Sequence, residues 1–263
     1  MKTAHALSAL IAVCNREVQR FVRQRSRLLS ALVRPLLWLV VFAAGFRNIF
    51  GVSIIPPYET YITYQEYVLP GLAGMILLFQ GMQSSLSMVY DRETGMMRLL
   101  LTAPLPRWYI LLAKLAGGTL LSVSQVYAFL LVAAAFGSHF TPGGWLYLLP
   151  AAIASGLMLG AFGLLLSVHI RQLENFAGTM NFVIFPMFFI SPALYPLWRL
   201  QESAADVIYW MAMINPFTYA VELLRFAMYG KFDGVAALVV AGCAVAFYLL
   251  AVAGYDPRRM RVA

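Results

Sequence analysis

Few residues in this sequence are of a type that does chemistry, and most familiar reactions can be set aside on spacing alone. Ser155, within Ile153-Ala154-Ser155-Gly156, is a hydroxyl inside an uncharged stretch, where the nucleophile of a membrane hydrolase would stand. A serine needs a base in hydrogen-bond reach, yet His5, His139 and His169 are scattered and none lies inside another uncharged stretch. Small residues at such a place more often let helices approach closely. Cys14 and Cys243 pair with none of these histidines in sequence, so metal, haem and disulfide chemistry are not expected. No Gly-x-x-x-x-Gly-Lys-Ser/Thr loop exists to cradle nucleotide phosphates. What remains is charge and docking. Asp91-Arg92-Glu93-Thr94-Gly95 is followed by Met96, Met97, Arg98 and three leucines, then by Pro104-Leu105-Pro106-Arg107. Asp91 and Glu93 suit the N-terminus of a short helix, the apolar residues give it a greasy side, and the prolines end it. Such a helix docks a soluble partner; a plain loop whose charges only orient the chain is the other reading.

The elements around this cluster are hydrophobic enough to need lipid. Of the 263 residues, 62% are hydrophobic and 11% charged, whereas a soluble domain carries about 25% charged residues. Uncharged runs at 67–90, 115–136, 145–168, 175–198 and 234–255 each have 22 to 24 residues, and about 20 suffice to cross the hydrocarbon core. A sixth run, 28–46, holds Arg34 near one end, and an Arg there can snorkel to the headgroups. Six transmembrane helices in an all-α membrane protein are therefore expected. In that topology fifteen of the nineteen Lys and Arg fall on one side, leaving Arg47, Arg199, Arg225 and Lys231 on the other. The positive-inside rule then puts both termini and the 89–108 segment in the cytoplasm. The net charge of +8 is thus a topology signal and not a nucleic-acid footprint.

Residues 7–29 read as an amphipathic helix lying on the inner membrane surface. Arg16, Arg20, Arg23 and Arg27 fall within about 60° of one another on a helical wheel, with Arg25 as the exception on the apolar face. A basic segment that merely sets orientation is an equal alternative. The outer segment 191–233 is rich in Pro, Trp and Tyr, and its uncharged part, 207–221, has 15 residues, too few to cross. Asn215-Pro216 breaks it, and Glu222 and Arg225, three apart, can pair. Two short helices forming a re-entrant hairpin are expected, with an aromatic loop on the interface as the alternative.

No Asp, Glu, Lys or His stands near the middle of a span, whereas an ion-driven carrier usually needs such groups. That tilts against a stand-alone carrier or channel, although backbone carbonyls can bind sodium. A transport chain with neither an ion relay nor a nucleotide loop must draw its energy from another subunit.

Three passages, 67–118, 169–197 and 214–230, resemble the permease subunits of ABC-2 type ABC transporters. The family's Asp-Arg-Glu-x-Gly element and Pro-x-x-Arg turn recur as Asp91-Arg92-Glu93-Thr94-Gly95 and Pro104-Leu105-Pro106-Arg107, and its Asn-Pro with following Glu and Arg as Asn215, Pro216, Glu222 and Arg225. The resemblance implies one transmembrane domain over 1–263: a cytoplasmic interface helix at 1–27, a six-span bundle at 28–255 and a cytoplasmic tail at 256–263. It implies an exporter subunit in the inner membrane, dimerised with a second copy, that binds no cofactor itself and works with an ABC ATPase subunit carrying ATP and Mg. It assigns Asp91, Arg92, Glu93, Thr94, Gly95, Arg98, Pro104 and Arg107 to a coupling helix that the ATPase pushes. Asn215, Pro216, Glu222 and Arg225 would form an outer gate hairpin. The substrate would be amphipathic or hydrophobic, such as a lipid, a glycolipid or a drug. More narrowly, 31–61 and 171–189 are similar to a permease found with quinoprotein alcohol oxidation systems.

Overall fold

The computed structural model describes residues 8, 11–17, 19, 33–41, 51–52, 56–59, 62–95, 106–138, 141, 143–170, 172–202 and 205–255. It is mostly helical. Residues 11–17 and 33–41 are helical segments, followed by helices α1 (Tyr64–Glu93), α2 (Arg107–Ala135), α3 (Gly144–His169), α4 (Leu173–Phe189), α5 (Leu197–Glu202), α6 (Asp206–Ile214), α7 (Pro216–Met228) and α8 (Gly234–Gly254). The one departure from an all-α chain among the described residues is a two-residue antiparallel pair, β1 (Gly51–Val52) with β2 (Ile62–Thr63), in register Gly51 to Thr63.

Four helices, α1, α2, α3 and α8, are long and apolar enough to cross a membrane. They cover four of the six expected runs, α2 and α8 each stopping one residue short. The expected span at 28–46 lies mostly outside the described residues. The expected span at 175–198 is shorter than its uncharged run: α4 has 17 residues, about 26 Å of rise against a core of about 30 Å. Its end is chemical, since Ser191 Oγ bonds to Phe188 O at 2.6 Å and Pro192 follows without an N–H to continue the ladder. Residues 190–196 turn back onto α1 instead. Four to five spans, counting the bent α6–α7 pair as one, are therefore what the described helices support.

Helix α1 is the centre of the bundle. Thr63 and Glu66 form a reciprocal capping box at its start. Of its most apolar stretch 78% is buried, against 17% for α8, so α1 faces protein and α8 faces outward. It packs on α2, α3, α4 and α7, while α3 also packs on α8. The α1–α3 crossing is close because small residues meet: a Cβ on Gly81 would stand 3.0 Å from Gly160 N, and one on Gly163 would stand 2.5 Å from Ser85 Oγ. Lipid offers no hydrophobic drive between helices, so such backbone approach is what holds them. The core around Tyr67, Phe129, Phe188 and Phe217 fills the middle of the bundle and its α7 end. A second cluster, Met88, Leu111, Leu115, Ala161, Leu164, Ala251 and Tyr255, closes its other end.

Candidate functional site

The acidic–basic triplet does not open a short helix, as its composition led one to expect. Asp91, Arg92 and Glu93 form the last turn of α1, where two acids oppose the helix dipole. Their partners resolve the conflict. Asp91 is 3% exposed, as is Lys114 of α2, and the Lys114 ammonium donates directly to its carboxylate. Arg16 of the N-terminal segment reaches the same oxygen at 3.5 Å and Glu17 at 3.0 Å. That segment lies against α2, with Cys14 Sγ on Ala113 O at 3.9 Å and its backbone beside Gly117.

The other two residues of the triplet cap two different helices. Arg92 donates to Ser167 O at 3.0 Å; this carbonyl is among the last four of α3, which have no intrahelical donor. Glu93 Oε1 accepts from Leu173 N at 2.8 Å, one of the first N–H groups of α4, likewise without an intrahelical partner. A cation thus meets the negative end of α3 and an anion the positive end of α4. Glu93 therefore does not start a helix of its own, as expected, but ends α1 and caps the start of a helix 80 residues further along. Thr94 Oγ1 closes onto Tyr90 O at 2.9 Å, and Gly95 turns the chain away with φ +72°. Arg107 opens α2 and is exposed. Arg98 and Pro104, with the rest of 96–105, lie outside the described residues, as do Arg20, Arg23 and Arg27. Four segments are therefore tied at the C-terminal end of α1, immediately before the apolar stretch that begins at Met96. Lys114 entered the sequence reading as one more topology charge; its signal was a lysine inside an otherwise apolar helix.

At the opposite end α6 and α7 meet at 77°, and the break expected at Asn215-Pro216 is there. Asn215 Oδ1 accepts from Phe217 N at 3.0 Å, an N-cap, while Nδ2 donates to Met187 O of α4 at 2.7 Å. Thr218 Oγ1 donates back to Ala212 O at 2.6 Å. Arg225 and Glu222 do pair, Nη1 to Oε1 at 2.5 Å. The guanidinium is buried, gives a second bond to Pro192 O at 2.5 Å, and lies 4.3 Å from the Tyr67 ring centroid. Tyr67 Oη shares Pro192 O at 3.0 Å and Tyr64 Oη donates to Leu194 O at 2.8 Å. The 190–196 turn is thus strapped to α1 and α7. Sequence reasoning missed Tyr64 and Tyr67 as partners of this turn. Beyond α7, Lys231 Nζ meets Glu59 Oε1 and Pro57 O, each at 2.9 Å, and holds the Glu59 carboxyl below its ordinary value. Burial pushes the neighbouring Tyr58 phenol up to about 12.

Hydrolytic chemistry finds no support among the described residues. Ser155 is fully buried, and His169 on the same helix turns its ring to Leu165 O at 3.0 Å, fourteen residues and about 21 Å of rise away. No described group of His, Cys, Asp and Glu could hold a metal ion.

Comparison with known proteins gives this architecture its context. The sequence profile described as ABC-2 type transporter matches residues 8–229. The chain is 30% identical over 230 residues to a protein of Cyanophora paradoxa named as transport permease ycf38, covering 84% of this chain and 74% of that protein. The Porphyra purpurea protein of the same name is 28% identical over 211 residues, covering 78% and 68%. A protein of Escherichia coli K12 named as ABC transporter permease YbhR is 26% identical over 180 residues, 64% of this chain and 45% of its own length. The chain belongs to the ABC-2 type transporter family: it is a multi-pass membrane permease subunit and not an enzyme, and the ABC ATPase it works with is a separate subunit.

Proposed function

We propose that the chain forms the transmembrane half of an ATP-driven exporter, working as a pair of identical copies in the inner membrane with both termini in the cytoplasm. The ATPase grips the apolar segment after Gly95. The Asp91-Arg92-Glu93 clasp carries its displacement at once to α2, α3, α4 and the N-terminal segment. The observation that carries this reading is the triplet itself: three adjacent side chains reach four separate segments, so the end of α1 cannot shift without them. Arg16, Arg20, Arg23 and Arg27 hold the N-terminal helix at the inner surface, and the bent α6–α7 pair is a re-entrant hairpin gating the outer exit. The cargo is an amphipathic or hydrophobic molecule. The likeness of 31–61 and 171–189 to permeases of quinoprotein alcohol oxidation systems is kept as the narrower reading of its physiological setting.

The test is contact. A photo-reactive amino acid at Arg98 in the complex isolated with its ATPase should give an ATPase adduct, and one at Phe232 should give none. No ATPase adduct from 98, or one from 232, would overturn the reading. Uptake by the chain alone in liposomes under an ion gradient would replace it with a carrier.

A further inference from the structure

A mostly apolar pocket with a few polar groups in its lining sits halfway up the bundle, away from both charged ends. It is lined by Arg34 and Pro35 of the 33–41 segment, by Met75, Ile76, Phe79, Gln80 and Gln83 of α1, and by Gln125 of α2, around about 360 Å³ of space open to the exterior. Its level follows from helix geometry. Gln80 precedes Asp91 by eleven residues and Gln125 follows Lys114 by eleven, which is just over three whole turns and about 16.5 Å of rise. Because Asp91 and Lys114 pair, the two glutamines face each other on the same sides of their helices, one level deeper into the bilayer. Arg34 does not reach back toward the inner clasp, as snorkelling would require; its guanidinium carbon stands 4.2 Å from the Phe79 ring centroid.

Three features of the lining call for a ligand. Gln80 and Gln125 are 6% and 5% exposed, yet Gln80 Oε1 and Gln125 Nε2 have no hydrogen-bond partner, and buried amides without partners are costly. Among the described residues the one ionisable group in the lining is the Arg34 guanidinium, and no described carboxylate lines the pocket to balance it. Stacking on an aromatic face leaves a guanidinium's N–H edges free for forked bonds to carboxylate or phosphate. Beyond Arg34 the segment presents Leu37, Val40 and Val41, all exposed, an apolar track leading from the pocket.

We infer that this pocket binds the head of an anionic amphiphile, a phosphate or carboxylate bearing a neighbouring hydroxyl, with its chain laid along Leu37, Val40 and Val41. Arg34 and the Gln125 amide hold the anionic oxygens, and Gln80 Oε1 accepts from the hydroxyl. The occupant is either a resident bilayer lipid or a molecule in transit, since both present the same head.

The test needs neither ATP nor the ATPase, so it stands or falls apart from the coupling proposal. The full chain in a neutral maltoside detergent is titrated with 12-carbon lysophosphatidic acid, and binding is counted by native mass spectrometry. Monolaurin, with the same tail and no charge, is the comparator. Saturable binding of the phosphate is expected, at least tenfold tighter than monolaurin. It should weaken at least tenfold in Arg34→Gln and in the Gln80→Leu/Gln125→Leu double variant, and be largely kept in Arg34→Lys, which retains the charge and reports that the site still folds. Equal binding of the two amphiphiles, or phosphate binding indifferent to Arg34→Gln, would overturn the inference. Competition with phosphatidylglycerol in nanodiscs separates the sources: displacement assigns the site to a bilayer lipid, and its absence assigns it to a molecule in transit, the head-group chemistry standing in both cases.

Discussion

At the scale of single residues the account turns on charges buried where the sequence shows only grease. Asp91 and Lys114 neutralise each other out of solvent, so removing one partner strands the other. Asp91→Ala should destabilise the detergent-solubilised chain by about 3 to 5 kcal/mol, read from thermal unfolding, whereas Asp91→Leu with Lys114→Met should recover most of the loss. Equal losses in single and double variants would show that the pair is not the source. At the α6–α7 end Arg225→Met leaves Glu222 without its partner and frees the 190–196 turn; protease cleavage within 190–196 should accelerate, while Tyr219→Phe, which removes one local bond to Met213 O, should change it little. The sequence pointed to Glu222 and Arg225 because their spacing of three is a local helix property. It did not point to Lys114, Ser167 or Leu173 as partners of the triplet. Those pairings span 23, 75 and 80 residues, and two of them use backbone atoms that every residue possesses.

At the scale of elements, legibility followed length and apolarity. The runs that became α1, α2, α3 and α8 could be read because an uncharged stretch of that length has one outcome in lipid. The 175–198 run gave a shorter helix because composition does not register that Ser191 and Pro192 end the ladder early, nor that Tyr64, Tyr67 and Arg225 are waiting to hold the freed turn. The reverse holds for α7, whose start was plain from Asn215-Pro216, an N-cap followed by a proline that needs no donor. Asn215→Ala loses the cap and the bond to Met187 O together, and should cost about 1 to 2 kcal/mol of stability. The close α1–α3 crossing sets a steeper limit: Gly81→Val should lower the unfolding temperature and the yield of folded chain, because a Cβ there stands 3.0 Å from Gly160 N and 3.1 Å from Leu159 C, α3 backbone that cannot swing aside.

At the scale of the whole molecule, the bundle has one end tied by ion pairs and helix caps and another by an arginine strap, with α1 running between them as the most buried helix. Topology is the simplest thing to check. In right-side-out vesicles of a cysteine-free background, an impermeant maleimide should label Phe232→Cys at once and Thr94→Cys only after permeabilisation; the opposite pattern would invert the whole account. What joins the two ends is the claim that the clasp makes the inner helix ends move together. The most direct measurement places spin labels at Thr94 and Glu174 in one chain, and at Glu174 and Phe232 in another, in the complex with its ATPase. On trapping with ATP and vanadate, the Thr94–Glu174 distance should hold while Glu174–Phe232 changes, and in Glu93→Ala, which removes the acceptor for Leu173 N, the α4 label should no longer follow the end of α1. A Glu174 label that stays still in the intact chain, or moves identically in Glu93→Ala, would contradict the clasp as the path of the stroke.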